Sequence, residues 1–482
     1  MTAPRSIAEV SRAIRAKERT AVEVVETTLQ RIRAIDPGLE CFHEIYAERS
    51  LEAAAETDRR MGRGESPGPL AGVPIAIKDN IVTDFGRTTC GSKMLEHYES
   101  PYTATAVERL LDAGAIVIGK TRCDEFAMGS SGENSAFGPT RNPCDPSRVP
   151  GGSSSGSAAA VAAGLVPGAL GSETGGSIRQ PAALCGVVGV KPSYGRVSRW
   201  GLVAFGSSLD QVGPFGSCVH DAALLLGVMA GPDRRDSTSS PRDVPDYPGA
   251  IEEPIDGLRL GVPRQYLQDD NDPAVNDAVR SAVEVYRDLG AEIVEIDLPL
   301  TEYGIATYYV ISAAEASANL ARYDGVRYGR RAEPAPGEDL YDMYARSRAE
   351  GFGDEVQRRI MLGTYVLSAG YHEAFYHRAL QVRRLISNEY DRAFEKCHAL
   401  LGPTSPCTAF PLGQKSDPLQ MYLCDLYTIN TNIAGICGIS IPCGHTEVNG
   451  AKLPTGLQIQ CKAFDEVTMF RIARLYERTA DG

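Results

Sequence analysis

A chain of 482 residues, 43% of them apolar, can bury a sizeable core and is long enough for one large α/β enzyme. Its net charge of −13 argues against a broad contact of its own with a nucleic-acid backbone, which calls for a basic surface. No apolar run reaches the roughly eighteen residues of a membrane helix, and the polar, periodic N-terminus has no apolar signal core, so a cytoplasmic protein without membrane contact is expected. The twelve cysteines form no C-x-x-C pair and no Cys/His set at zinc spacing; they read as reduced, mostly buried thiols, and no metal site is expected.

Two helices open the chain. Ser6 with Glu9 and Thr20 with Glu23 each spell a capping box, and Val22, Val25, Leu29 and Ile32 share one face of the second helix. A third helix is expected over 50–60, which makes residues 1–65 a helical segment packed on a core that occupies 66–482. After a Pro-Gly-Pro turn at 67–69, Val73, Ile75 and Ile77 alternate as a strand that ends in Lys78. A lysine there is commonly a snorkelling surface cation, but its apolar approach also allows a buried, functional amine. A helix over 105–113 and a strand over 115–120 follow. The long Gly-, Asn-, Ser- and Pro-rich stretch 125–150 is of the kind that lines functional sites.

Next comes VPGGSSSGSAAAVAAGLVPGALGSETGGSIRQP (149–181), two Gly/Ser clusters separated by an Ala-rich run that reads as a buried helix. Glycine lets backbone approach a ligand closely, and turns with bare N–H groups bind anions. The stretch therefore suits either a serine nucleophile beside an oxyanion hole or a phosphate loop without chemistry. Further on, a helix is expected over 220–230 and an exposed Pro-rich loop over 231–256. A strand–helix–strand unit should cover 258–262, 273–289 and 292–296. Long helices near 302–323 and 353–395 flank a second Pro-rich loop, AEPAPGED (332–339). Strands at 398–402, 438–442 and 456–460 bracket a helix at 419–434, and a helix over 465–478 closes the chain. Because strands return after both loops, 231–256 and 332–339 read as internal loops. The alternation predicts an α/β fold, a single domain with one large mixed β-sheet covered by helices on both faces.

A serine nucleophile needs a base. None of the seven histidines sits in a triad signature, and no G-x-S-x-G elbow is present. A lysine can serve if burial keeps it neutral, and Lys78 is the natural candidate. No S-x-x-K pattern surrounds the serines, so this base must come from afar.

Lys78 after its apolar strand, then GGSSSGSAAAVAAG, then GSETGGSIRQPAALCGVVGVKPSYGRVS, resembles the amidase-signature family, whose members use a Ser–cis-Ser–Lys triad. The resemblance implies Ser177 as nucleophile, Ser153 as the bridging cis-serine and Lys78 as base. The backbone N–H groups of Thr174, Gly175, Gly176 and Ser177 would form the oxyanion hole, and Met128 with the loop 125–135 would line the pocket. AEASANLARYDGVRYG (314–329), RRIMLGTYVLSAGY (358–371) and MYLCDLYTINTNIAGICGISIPCG (421–444) are similar to the glutamine-hydrolysing members that serve tRNA-dependent amidotransferases. That implies Arg358, or its neighbour Arg359, and Asp425 as the groups that hold the charged ends of free glutamine, a pairing that suits a carboxylate and an ammonium. Ser155, Glu173 and Asn430 depart from the commonest pattern, which has Gly, Asp and Pro there; none removes a catalytic group.

The implied reaction is hydrolysis of glutamine to glutamate and ammonia. In the resembled complexes a B subunit binds misacylated tRNA, Glu-tRNA(Gln) or Asp-tRNA(Asn), and activates its carboxylate with ATP and Mg2+. A small C subunit completes a heterotrimer. No cofactor is expected on this chain, and its acidity and lack of a Walker motif agree with leaving tRNA and ATP to a partner. A stand-alone amidase for small amides and a non-catalytic phosphate- or nucleotide-binding protein are the competing readings.

Overall fold

The computed structural model describes residues 6–480 except 67, 334 and 416. Pro67 of the expected turn and Pro334 of the second Pro-rich loop therefore lie outside the described residues. The opening helices are Ile7–Arg15 and Ala21–Ile35, and both capping boxes are formed. Asp58, on the third helix Ala47–Gly62, accepts the N–H groups of Ala21 and Val22 at 2.7 and 3.1 Å, so one carboxylate joins two helices end to side. Ile7, Val10, Ile14, Val24, Val25, Leu29 and Ile32 enter the main core.

Among the described residues, eleven strands form one mixed sheet: β1 (Phe42–Ile45), β2 (Pro74–Lys78), β3 (Ile116–Thr121), β4 (Gly168–Glu173), β5 (Val188–Lys191), β6 (Gln211–Gly216), β7 (Arg259–Pro263), β8 (Glu292–Ile296), β9 (Ala399–Pro403), β10 (Cys437–Val448) and β11 (Ala451–Cys461). Their order across the sheet is β1-β3-β2-β4-β6-β5-β10-β11-β9-β7-β8. β2 runs parallel to β3 and β4, and β7 runs parallel to β8 and β9; β4–β6, β6–β5, β5–β10, β10–β11, β11–β9 and β1–β3 are antiparallel. Sixteen α-helices accompany the sheet among the same residues. Strands from before and after both Pro-rich loops join this one sheet, as the alternating pattern predicts. Among the described residues no helix is long and apolar enough to cross a membrane.

The departures from expectation have identifiable physical causes. The small-residue sequence of β4, GALGSE, lacks the β-branched signal of a strand. It is nonetheless central, because the sheet and the neighbouring helix leave little room: a Cβ on Gly171 would stand 2.6 Å from the Phe215 ring and 2.9 Å from Ser154 Oγ. β1 is short and lies at the sheet edge. β10 and β11 are longer than expected and meet at Asn449-Gly450, whose φ values of 53° and 83° suit a tight hairpin turn. The expected helix at 353–395 divides into Asp354–Leu367, a π-helical turn His372–His377 and Arg378–Phe394, with Gly370 at φ 85° between the first two. A helix over Leu340–Gly351, capped by Asp339, had no counterpart in the sequence reading. The expected helix at 419–434 breaks into Pro418–Tyr422, a 3-10 turn Leu423–Asp425 and Ile429–Ala434.

One buried ion pair joins these parts. Glu173, at the end of β4, and Arg179, opening the helix Arg179–Cys185, are fully buried and paired. Glu173 Oε2 also accepts the N–H groups of Ile178 and Arg179 at 3.0 and 3.1 Å. Arg179 donates to Thr431 Oγ1 at 2.9 Å, the Thr428 carbonyl at 2.8 Å and Asn432 Oδ1 at 2.7 Å. The fork thus holds the turn after β4 against the segment after Asp425. Breaking such a pair leaves a charge buried alone, so Arg179→Met is expected to lower stability by about 3–5 kcal/mol, with partial recovery in Glu173→Gln/Arg179→Met. Chemical denaturation measures this, and a loss below about 1 kcal/mol for the single variant would show that the pair does not hold these elements.

Candidate active site

β2 and β4 are adjacent and parallel, so their C-terminal ends emerge side by side, where ligands commonly sit in α/β sheets. Lys78 ends β2 and is completely buried. Its Nζ lies 2.8 Å from Ser153 Oγ, 2.9 Å from Ser154 Oγ and 3.2 Å from the Ser172 carbonyl of β4. Desolvation lowers its pKa to about 8, although Asp124, Asp210 and Glu173 pull the other way.

The hydrogen bonds sort the three consecutive serines. Ser154 Oγ gives its proton to the Ser172 carbonyl at 3.1 Å, so toward Lys78 it acts as an acceptor. Ser155 Oγ turns away, to the Arg122 carbonyl and Thr140 Oγ1. Two N–H bonds of a neutral Lys78 can go to Ser154 Oγ and the Ser172 carbonyl, which leaves the lone pair for the Ser153 hydroxyl. The Gly152–Ser153 peptide bond is cis. Gly152 N–H donates to Gln180 Oε1 at 3.0 Å, Gln180 Nε2 donates to the Ser130 carbonyl at 2.8 Å, and the Ser153 carbonyl accepts from Asp124 N–H at 3.2 Å.

Ser177 closes the turn that follows β4, and its carbonyl accepts the Ser154 N–H at 3.2 Å, which brings the two Gly/Ser clusters together. Among the described residues, no intrachain hydrogen bond engages the N–H groups of Thr174, Gly175, Gly176 and Ser177. Their crowding calls for glycine. A Cβ on Gly175 would lie 2.7 Å from the Tyr308 ring, and one on Gly176 would lie 2.3 Å from Thr428 Oγ1 and 2.8 Å from Asp425 Oδ1. Thr174 Oγ1 donates to Asp210 at 2.7 Å, and Asp210 also accepts the N–H groups of Phe205 and Gly206, so a buried carboxylate braces the turn.

Asp425 is buried beside this turn. Its Oδ2 accepts from Ser130, while Oδ1 has no partner among the described residues. Desolvation raises its pKa to about 7. Arg359 is 3% exposed and faces inward among the rings of Phe205, Tyr309 and Tyr422. Arg358 is 47% exposed, and both arginines are bonded to Glu355, Arg359 Nε to its Oε1 at 2.7 Å. Both arginines border a cavity of about 310 Å³, together with Ser131, Glu133, Lys415 and Tyr422, but only Arg359 acts electrostatically on Asp425. Met128 is fully buried in the apolar cluster that includes Phe126, Phe205 and Phe352, and its loop supplies Gly129 and Ser131 to the cavity wall.

The site also uses residues that sequence reasoning passed over. Asp124, with its pKa raised to about 6 by burial, accepts the N–H groups of Gly132 and Asn134 and shapes the loop. Asp210, Gln180 and the Glu173–Arg179 pair hold the turns. Gln180, Glu173 and Arg179 lie inside the quoted motif, so their place in it was a signal; Asp124 and Asp210 carried none. Among the described residues no group of three or more His, Cys, Asp or Glu side chains is arranged to hold a metal ion.

A serine, a second serine on a cis peptide and a buried lysine, beside unengaged N–H groups, are the parts of an acyl-transfer site. The Amidase family model matches residues 23–470. The A subunit of glutamyl-tRNA(Gln) amidotransferase from Carboxydothermus hydrogenoformans is 55% identical over 99% of this chain and 97% of its own length. The crystal structure of the A subunit of glutamyl-tRNA(Gln) amidotransferase from Thermotoga maritima superposes with a TM-score of 0.79 at 44% identity, covering 95% of this chain and 91% of that one. The native peptide amidase of Stenotrophomonas maltophilia superposes with a TM-score of 0.83 at 33% identity, covering 99% and 97%. Site, fold and sequence agree along nearly the whole chain, which belongs to the amidase family of enzymes.

Proposed function

We propose that this enzyme is the glutaminase subunit of a tRNA-dependent amidotransferase, working through Ser177, Ser153 and Lys78. The observation that carries the reading is a buried lysine of lowered pKa in contact with the cis-serine, next to a buried carboxylate with one oxygen unpartnered. Ser177 Oγ attacks the side-chain carboxamide carbon of glutamine. Its proton passes to Ser153 Oγ, whose own proton passes to neutral Lys78. The N–H groups of residues 174–177 take the developing oxyanion. Ammonia leaves with a proton returned along the relay, and water then cleaves the acyl-serine to glutamate.

Glutamine is the substrate this site suits. Asp425 Oδ1 offers an acceptor to the α-ammonium, and a buried guanidinium offers a fork to the α-carboxylate. Burial and the coupling to Asp425 favour Arg359 for that role over the outward Arg358. A stand-alone amidase for neutral amides has no need of Asp425 Oδ1, unpartnered among the described residues, and a phosphate site calls for a charged lysine rather than one that burial drives toward neutrality. The ammonia would go to a partner B subunit that amidates Glu-tRNA(Gln), or Asp-tRNA(Asn), in the cytoplasm using ATP and Mg2+, with a small C subunit completing the heterotrimer. The names of the relatives, A subunits of glutamyl-tRNA(Gln) amidotransferases, support a place in a multi-subunit amidotransferase. So does an apolar patch of Met361, Tyr365, Tyr371 and Phe375, 41–73% exposed, which is the kind of face a partner covers.

With its partners, Ser177→Ala is expected to lose glutamine-dependent amidation by on the order of 10³-fold or more while keeping activity with added ammonium salt. Full glutamine-dependent activity in that variant would refute the nucleophile. Because the neutral amine is the active form, kcat/KM for glutamine should rise with pH through about 8 and level off above it. In Lys78→Ala the rate should fall by roughly 10²–10⁴-fold and lose that limb; a limb that persists would place the base elsewhere. Arg359→Met should raise KM for glutamine about tenfold or more with a smaller change in kcat, and Arg358→Met should leave KM within about twofold. The reverse order would return the carboxylate contact to Arg358.

A further inference from the structure

Behind Asp425, two cysteines converge on one lysine. Cys424 lies in the 3-10 turn Leu423–Asp425, directly before Asp425, and Cys407 lies in the segment after β9. Lys415 Nζ stands 3.1 Å from Cys424 Sγ and 3.7 Å from Cys407 Sγ. Cys424 is buried, Cys407 is half-buried, and Lys415 borders the same cavity as Arg359 and Tyr422. The neighbouring Cys424 thiol, together with the Lys415 ammonium, holds the Cys407 thiol below its ordinary value. The other eleven thiols are all pushed up, ten of them chiefly by burial and Cys424 chiefly by the neighbouring Cys407. Thiolate character beside a second thiol and a cation is the setting of an oxidation-sensitive pair.

We propose that Cys407 and Cys424 form a hydroperoxide-sensitive dithiol whose closure to a disulfide displaces the turn that carries Asp425. The Cys407 thiolate attacks the O–O bond; an S–O bond forms, the O–O bond breaks, and water or an alcohol leaves after taking a proton from Lys415. The Cys424 sulfur, having given its own proton to the neutral lysine, then attacks Cys407. The S–S bond forms, the S–O bond breaks, and hydroxide leaves as water after taking that proton. The two thiols lose two electrons, which the hydroperoxide gains. Bonded sulfurs stand about 2.05 Å apart, closer than unbonded thiols approach, so closure draws the Cys424 turn and the Cys407 segment together. Among the described residues Asp425, next in the chain, is bonded through its side chain to Ser130 and through its carbonyl to Thr428 Oγ1 and the Thr428 N–H, both at 3.1 Å. The effect on glutamine rests on the role of Asp425 proposed above.

The full chain is treated with hydrogen peroxide, alkylated under denaturing conditions and mapped by mass spectrometry. The expected result is a Cys407–Cys424 cross-linked peptide, reversed by dithiothreitol, formed before any other cysteine is modified. In Cys424→Ser, dimedone should trap a sulfenic acid at Cys407. Independent alkylation of both cysteines after peroxide, or earlier oxidation elsewhere, would overturn the site. Hydrogen exchange over 418–430 should change on oxidation in the unmutated chain and not in Cys407→Ser; unchanged exchange in a cross-linked chain would overturn the displacement. These two readouts do not depend on activity. In the glutaminase assay, KM should rise several-fold on oxidation and return on reduction. An absence of glutaminase in the reduced protein would count against the functional reading alone.

Discussion

The placement of a lysine amine in a dry environment governs the rest of the site. Lys78 is there because β2 is buried along its length and ends beside β4, whose Ser172 carbonyl takes one of its hydrogens. Taken out of water, the ammonium is disfavoured, and the amine becomes a usable base near neutral pH. A surface lysine could not do this, whatever serines stood near it. In the proposed mechanism the parallel pairing of β2 and β4 is therefore as much a part of the chemistry as the hydroxyls are.

Around that amine, the structure spends its polar groups on holding turns. Gln180 and Asp124 hold the two sides of the Gly152–Ser153 peptide, and Asp210 and Glu173 brace the turn of Thr174 to Ser177. Arg179 carries the same bracing to the segment after Asp425. Each buried carboxylate is satisfied by N–H groups or a guanidinium, as burial demands. Asp425 differs, since one oxygen has its partner in Ser130 and the other has none among the described residues. An unpartnered carboxylate oxygen beside unengaged N–H groups is where a zwitterionic ligand would complete the bonding.

The opening helices were legible because a capping box is a local signal and an apolar stripe repeats with the helix period. The strands around Ile75, Leu260 and Val294 were legible from their apolar pattern. β4 was not: its glycines and alanines are set by crowding against Phe215 and Ser154, a property of neighbours far along the chain. The same holds for the break at Asp425, where a continuous apolar pattern reads as one helix although bonds to Ser130 and Arg179 turn the chain.

By itself the sequence determined the residue types and their motifs: Lys78 at a strand end, the two Gly/Ser clusters, Ser153 and Ser177 within them, and an α/β alternation. These are readable because they depend on spacing along the chain. Only the tertiary structure separated the three serines: Ser153 and Ser154 both face the lysine, Ser154 gives its proton to the Ser172 carbonyl, and Ser155 turns away, although the three are alike in sequence. It likewise separated Arg358 from Arg359, because adjacent residues on a helix point about 100° apart and only packing says which one is inside.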